Sequence, residues 1–126
     1  MKVAFAVFLF LHAFAHAVGV IGVGGLASIE GASGRPSLIL TQYAPGDWQV
    51  RIMAVAWAIP LAGFVFSGIG VLRDADWLMP VLIGSTVLSS LLCLIWAKEA
   101  PMGLVANGVI VLVVLVPALS DRLLPA

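Results

Sequence analysis

The chain has 126 residues, of which 63% are apolar and only 10% charged, and its mean hydropathy is +1.20. Soluble domains run at about 45–50% apolar and about 25% charged, so this composition calls for lipid as the solvent. Six basic residues balance six acidic ones, which leaves no electrostatic footprint for nucleic acid, and the single cysteine, Cys93, excludes an intramolecular disulfide.

A bilayer core about 30 Å thick is crossed by about 20 apolar residues in helix. The first stretch that qualifies is 3–27, and it contains the two histidines of the chain, His12 and His16. Its opening, Met1-Lys2 followed by an apolar run and Ala15-His16-Ala17, has the outline of a secretory leader with a small-residue cleavage site. The apolar character continues to Leu26, however, so the stretch reads as a first span. The connection 28–51 is long and carries Gly, Pro and Ser. Within it, 37–43 is apolar but too short to cross, and is expected along the interface or folded over the bundle mouth. Asp47, after the turn pair Pro45-Gly46, is the expected N-cap of the next helix.

The second span is predicted over 52–72, with Pro60 inside it. A proline there should kink the helix and deprive the Ala56 carbonyl of its usual donor. The third is predicted over 78–97 and the fourth over 103–119, with Pro80 and Pro101 near their starts, where a missing N–H costs little. Connections 73–77 and 98–102 are tight, so these three spans form antiparallel hairpins. The predicted fold is an all-α, four-helix transmembrane bundle in a single domain. Trp48, Trp77 and Trp96 fall near predicted span ends, where indole rings favour the headgroup region. Trp57 lies deeper. Basic residues balance across the membrane, with Lys2, Arg73 and Arg122 on one side and Arg35, Arg51 and Lys98 on the other. The arrangement expected is both termini inside and the long loop outside.

Ionisable side chains in hydrocarbon are costly and mark functional sites by default. At about 1.5 Å of rise per residue, His16 lies about 15 Å from the membrane face that carries the long loop. Trp57 lies about 8–9 Å from it, Asn107 about 6 Å, and Ser89 and Ser90 about 10–12 Å. His12 is one turn deeper, within expected reach of Ser85 and Thr86. All four spans thus offer a polar group in one half of the bilayer, with Tyr43, Asp47, Trp48, Arg51, Lys98 and Glu99 around its mouth. The plain alternative is that these groups bond across helices as packing glue, which is common in membranes.

The spacing His-x-x-x-His puts both imidazoles on one helix face. One transition metal can be held that way, but Ala13 stands where a metalloprotease carries its general-base Glu, and no third ligand is evident. Two histidines a turn apart cannot ligate opposite faces of one haem, although a one-ligand haem or chlorophyll stays open beside the small residues Ala13, Ala17 and Gly19. A third reading is a proton relay, or a pocket for a lipid-like or quinone ligand, because a neutral imidazole both donates and accepts. In that reading His12, His16, Trp57, Asn107 and Arg51 bind the ligand, whose identity the spacing does not reveal. Small residues at the end of span one, and the pair Gly63 and Ser67, allow close backbone approach, within the chain or against another subunit.

Several of these segments resemble a set of small, uncharacterised four-helix membrane proteins of bacteria and archaea. The shared features are Leu11-His12-Ala13-Phe14-Ala15-His16, with Ala13 where that family often has Gly, then Arg51, Trp57 and Ala62-Gly63-Phe64-Val65 leading to Gly68-Ile69-Gly70. Trp77-Leu78-Met79-Pro80, the Ser-rich third span ending in Trp96, and Gly103-Leu104 with Asn107 follow. The connection 28–51 departs from the family. The resemblance implies a multi-pass protein of a prokaryotic cell membrane and carries no activity, cofactor or catalytic residue with it. The function expected is an accessory subunit of a membrane complex or a binder of a lipid-like ligand, with the bilayer, other membrane subunits or a second copy as partners. The alternative is a small membrane redox enzyme or subunit holding haem, metal or quinone through His12 and His16. A transporter ranks below both, for want of intramembrane carboxylates or repeats.

Overall fold

The computed structural model describes residues 1–23, 37–38, 41–42 and 46–124. Among them are five helices: α1 (Lys2–Val23), α2 (Asp47–Arg73), α3 (Leu78–Ile95), α4 (Pro101–Leu115) and α5 (Pro117–Leu123). A minimal antiparallel ladder, β1 (Ser37–Leu38) with β2 (Thr41–Gln42), pairs Ser37 with Gln42 and Leu38 with Thr41. The architecture is therefore helical, and the predicted apolar segment of the long connection contributes this ladder. Three helices are long and apolar enough to cross a membrane, and a fourth if the bent pair α4–α5 counts as one span.

Local chemistry explains most boundaries. Proline opens both α4 and α5 at the first helical position, where its fixed φ and missing N–H cost nothing. At the start of α2, Gly46 rather than Asp47 is the N-cap. Its backbone is extended, and its N–H donates to Gln49 Oε1 at 2.7 Å, the return half of a capping box. Asp47 is instead the first helical residue. α2 continues as one helix through Pro60, which is buried. It ends at Asp74, which is left-handed at φ 50° and sends its N–H back to the Gly70 carbonyl. Asp74 also pairs with Lys2, joining the start of α1 to the end of α2.

The fourth predicted span needs correcting. Hydropathy runs unbroken to Leu119, yet α4 stops at Leu115, and α5 turns away from it by 95°. Pro117 has no N–H to continue the ladder and forces Val116 into extended backbone (φ −95°, ψ 108°). α5 then lies across the end of the bundle, where Leu124 just beyond it is buried in the same apolar cluster as Phe5 and Ala6.

α1 packs chiefly along α2, α2 along α3 and α3 along α4, whereas α1 and α4 meet only sparsely. The interior has two apolar clusters. One, including Phe5, Leu9, Phe64, Leu78, Leu82 and Ile110, fills the end near the amino terminus. The other gathers Val23, Trp57, Leu92, Cys93 and Trp96 at the far end. Trp96, expected at the headgroups, is thus core: it is 2% exposed, whereas Trp48 and Trp77 are 65% and 43% exposed. The turn after α3 folds inward and carries its indole with it. Close backbone approach uses four glycines, Gly103 against Cys93 Sγ among them. A Cβ on Gly19 would stand 2.5 Å from the Trp57 ring, one on Gly68 2.7 Å from Phe10, and one on Gly63 would collide with Ser85. These contacts lie within the chain.

Candidate functional site

Between the two apolar clusters lies a polar layer, drawn from α1, α3 and α4. His12, His16, Ser89 and Asn107 are all at most 5% exposed. The third helix delivers Ser89 because Leu82, Ser85, Ser89, Cys93 and Trp96 recur at intervals of three and four, which makes one buried face. Ser90 falls off that face. Ser85, Thr86 and Ser90 each donate to the carbonyl four residues back in their own helix, so none of the three joins the histidines. The expected reach of Ser85 and Thr86 to His12 is not what the structure has. Asn107, one face of α4, takes that place.

The hydrogen bonds admit one consistent assignment of protons. His16 Nδ1 lies 2.9 Å from the His12 carbonyl, which only accepts, so Nδ1 carries the hydrogen. In the neutral ring Nε2 is then an acceptor, and the Ser89 hydroxyl, 2.8 Å away, donates to it. The Ser89 oxygen in turn accepts from Asn107 Nδ2 at 2.8 Å. Asn107 Oδ1 accepts from His12 Nε2, also at 2.8 Å. Its 3.1 Å approach to Ser89 Oγ carries no bond, since the single hydroxyl hydrogen is already given to His16. The donors thus run one way, from His12 through Asn107 and Ser89 to His16 and back to the His12 backbone. Turning the Asn107 amide over would set two acceptors, His16 Nε2 and Asn107 Oδ1, against the single Ser89 hydroxyl hydrogen, so the layer also favours the amide's orientation.

Aromatic rings hold the imidazoles in place. Phe64, fully buried, sits 4.6 Å from the His12 ring and 5.4 Å from the His16 ring, centroid to centroid. Trp57 lies 5.4 Å from His16 and meets Trp96 edge-on at 5.6 Å. Where α1 and α4 stay apart, a cavity of about 350 Å³ opens beside the pair of histidines. Its floor includes His12, His16, Trp57, Cys93 and Trp96. Its mouth is formed by Ala15 and Val18 of α1 and by Glu99, Ala100, Met102 and Gly103 at the head of α4. Trp57 Nε1 is the one buried side-chain nitrogen or oxygen among the described residues that has no hydrogen-bond partner.

Of the five residues singled out in the sequence, four converge here. His12, His16 and Trp57 line the cavity, and Asn107 stands behind them, bonded to His12. Arg51 does not join them: it is exposed near the start of α2 and is not part of the cavity wall. Trp57 lies six residues, nearly two turns, further along that helix, and the cavity faces α4 instead. Tyr43, the Asp47 side chain and the end of span one, 24–27, lie outside the described residues. Ser89, Phe64 and Trp96 were not recognisable as site residues by composition. The three-and-four spacing of small and aromatic residues on the third helix is the signal that finds Ser89 and Trp96.

A metal or haem fits this arrangement poorly. Both ring nitrogens of His16 are engaged, and His12 Nδ1 alone is left as a ring acceptor by the assignment above. Among the described residues no three His, Cys, Asp or Glu side chains stand close enough together to hold a metal ion.

Fold and site define a class: a helical protein with three to four helices fit by length and apolarity to cross a membrane, built around a buried imidazole–amide–hydroxyl layer. No protein-family model matches the chain, and no curated protein or solved structure is significantly similar to it.

Proposed function

We propose that the chain is an integral membrane protein that binds a lipid-like small molecule in the cleft between α1 and α4. The observation that carries this reading is the cavity itself. Ligand sites are typically about 300–1,000 Å³, mostly apolar, with a few well-placed polar groups, and this one combines apolar walls with two histidines and an indole N–H. Large apolar side chains such as Leu11, Phe14, Val55 and Leu112 are more than half exposed on the outer helix faces, a surface suited to lipid. A molecule dissolved in the bilayer therefore reaches the cleft laterally. The polar layer supports the pocket and fixes the floor; its bonds are spent inside the protein, which favours binding over catalysis.

Ala15 tests this directly, because it lines the mouth from an exposed position where a larger side chain enters the cleft without core strain. Protein purified in mild detergent should retain a stoichiometric lipophile in native mass spectrometry. Ala15→Phe should lose it while keeping its helical circular dichroism. Equal retention by both proteins, or none by either, would overturn the proposal.

A further inference from the structure

Resting on that ligand-binding reading, we propose that the ligand is recognised by a carbonyl oxygen that accepts the indole N–H of Trp57, at the end of an uncharged apolar chain. An indole nitrogen only donates, so its partner is an acceptor. A buried donor left unmade costs more than a made bond gains, so an unmet indole N–H on a residue that lines a cavity calls for an acceptor.

The described residues do not offer that acceptor. The nearest imidazole, His16, already uses Nε2 to accept from Ser89. Nor can the indole swing away to find another partner. The Gly19 backbone lies so close to the fused ring that even a Cβ there would stand 2.5 Å from it, and Trp96 abuts it edge-on. Trp57 is held with its N–H unmet.

The walls narrow the chemistry further. Val18, Val23, Ala100 and Met102 offer dispersion contacts to an alkyl or isoprenoid chain. Among the described residues the one charged side chain on the wall is Glu99, so an anionic head meets no counter-charge from them. An ammonium head has no lone pair for the indole. What fits is a neutral ketone, quinone or ester oxygen. The same chemistry is available from two sources, the ester groups of bilayer phospholipid and a free quinone.

The test uses the full chain with ¹⁵N-labelled tryptophan in nanodiscs of ether-linked phosphatidylcholine, a lipid with no carbonyl. Trp48→Phe, Trp77→Phe and Trp96→Phe identify the Trp57 resonance by elimination. Adding 2-tridecanone or a decyl-substituted benzoquinone should move the Trp57 N–H downfield, whereas tridecane should move only the Trp96 signal, which reports that the cavity is filled. A downfield Trp57 signal already present in ester-linked discs would assign the carbonyl to the bilayer lipid; one that waits for the quinone would assign it to the quinone. Trp57→Phe should weaken the ketone about tenfold relative to the alkane, the worth of one hydrogen bond. If ketone and alkane both move Trp96 and leave Trp57 where it was, the carbonyl assignment is overturned while the binding cleft stands. If none of the probes moves either signal, the binding reading falls with it.

Discussion

Ser89 shows what a single hydroxyl can carry in this molecule. It donates to His16, accepts from Asn107, and so joins α1, α3 and α4 through one atom. Ser90, its neighbour, bonds only to the Thr86 carbonyl of its own helix. Interhelical hydrogen bonds in membranes are worth about 0.6 kcal/mol on average and up to about 1.7. Ser89→Ala removes two of them and leaves an imidazole and an amide unmet, so it should destabilise the protein by about 1–2 kcal/mol in equilibrium unfolding in mixed micelles, against near zero for Ser90→Ala. Equal effects from the two would contradict the directed network. His12, His16 and Asn107 were legible because polar groups stand out in apolar runs. Ser89 could not be singled out, because depth along a helix says nothing of rotation about it, and Ser85, Thr86 and Ser90 all lie within about a turn of it. Arg51 misled for the related reason that a charge near a mouth in sequence need not face it.

At the scale of the element, proline and glycine decide more than hydropathy does. The four apolar runs were readable, and three of them became helices close to the predicted bounds. The fourth was not, because Leu, Val and Ala continue past Pro117 and a window average cannot see a missing N–H. Trp96 likewise reads as a span-end residue in one dimension and turns inward in three. Glycines divide by what stands opposite. Gly19 faces Trp57 at a distance that leaves no room for a methyl group, whereas nothing lies within 4 Å of where a Cβ would sit on Gly84. Gly19→Ala should therefore cost about 1–3 kcal/mol by overpacking and shift the Trp57 fluorescence. Gly84→Ala should be neutral or gain up to about 1 kcal/mol from helix propensity. The same unfolding experiment reads both, and loss of stability in Gly84→Ala would instead mean that a partner covers that face.

Across the whole molecule, the chain closes on itself at one end and parts at the other. Lys2 and Asp74 tie the first helix to the second, and Leu124 beneath α5 seals the same end. The cleft opens near the opposite end, where α4 begins. The break at Val116 also has a consequence for the surroundings. α4 has 15 residues and so reaches roughly 22 Å, well short of the about 30 Å of an average hydrocarbon core, while the 27 residues of α2 reach roughly 40 Å. One flank of the bundle is short and the other long. In a membrane, the bilayer around the short flank would thin to meet it, at a fraction of a kcal/mol for each ångström of mismatch. Reconstituted into vesicles of decreasing acyl-chain length, the protein should gain thermal stability down to chains that match α4, and a stability that is flat with chain length would refute this. Embedded in a bilayer, a protein so shaped would dimple its own host, and the thinnest lipid would lie along α4, at one side of the cleft through which a bilayer-borne molecule would enter.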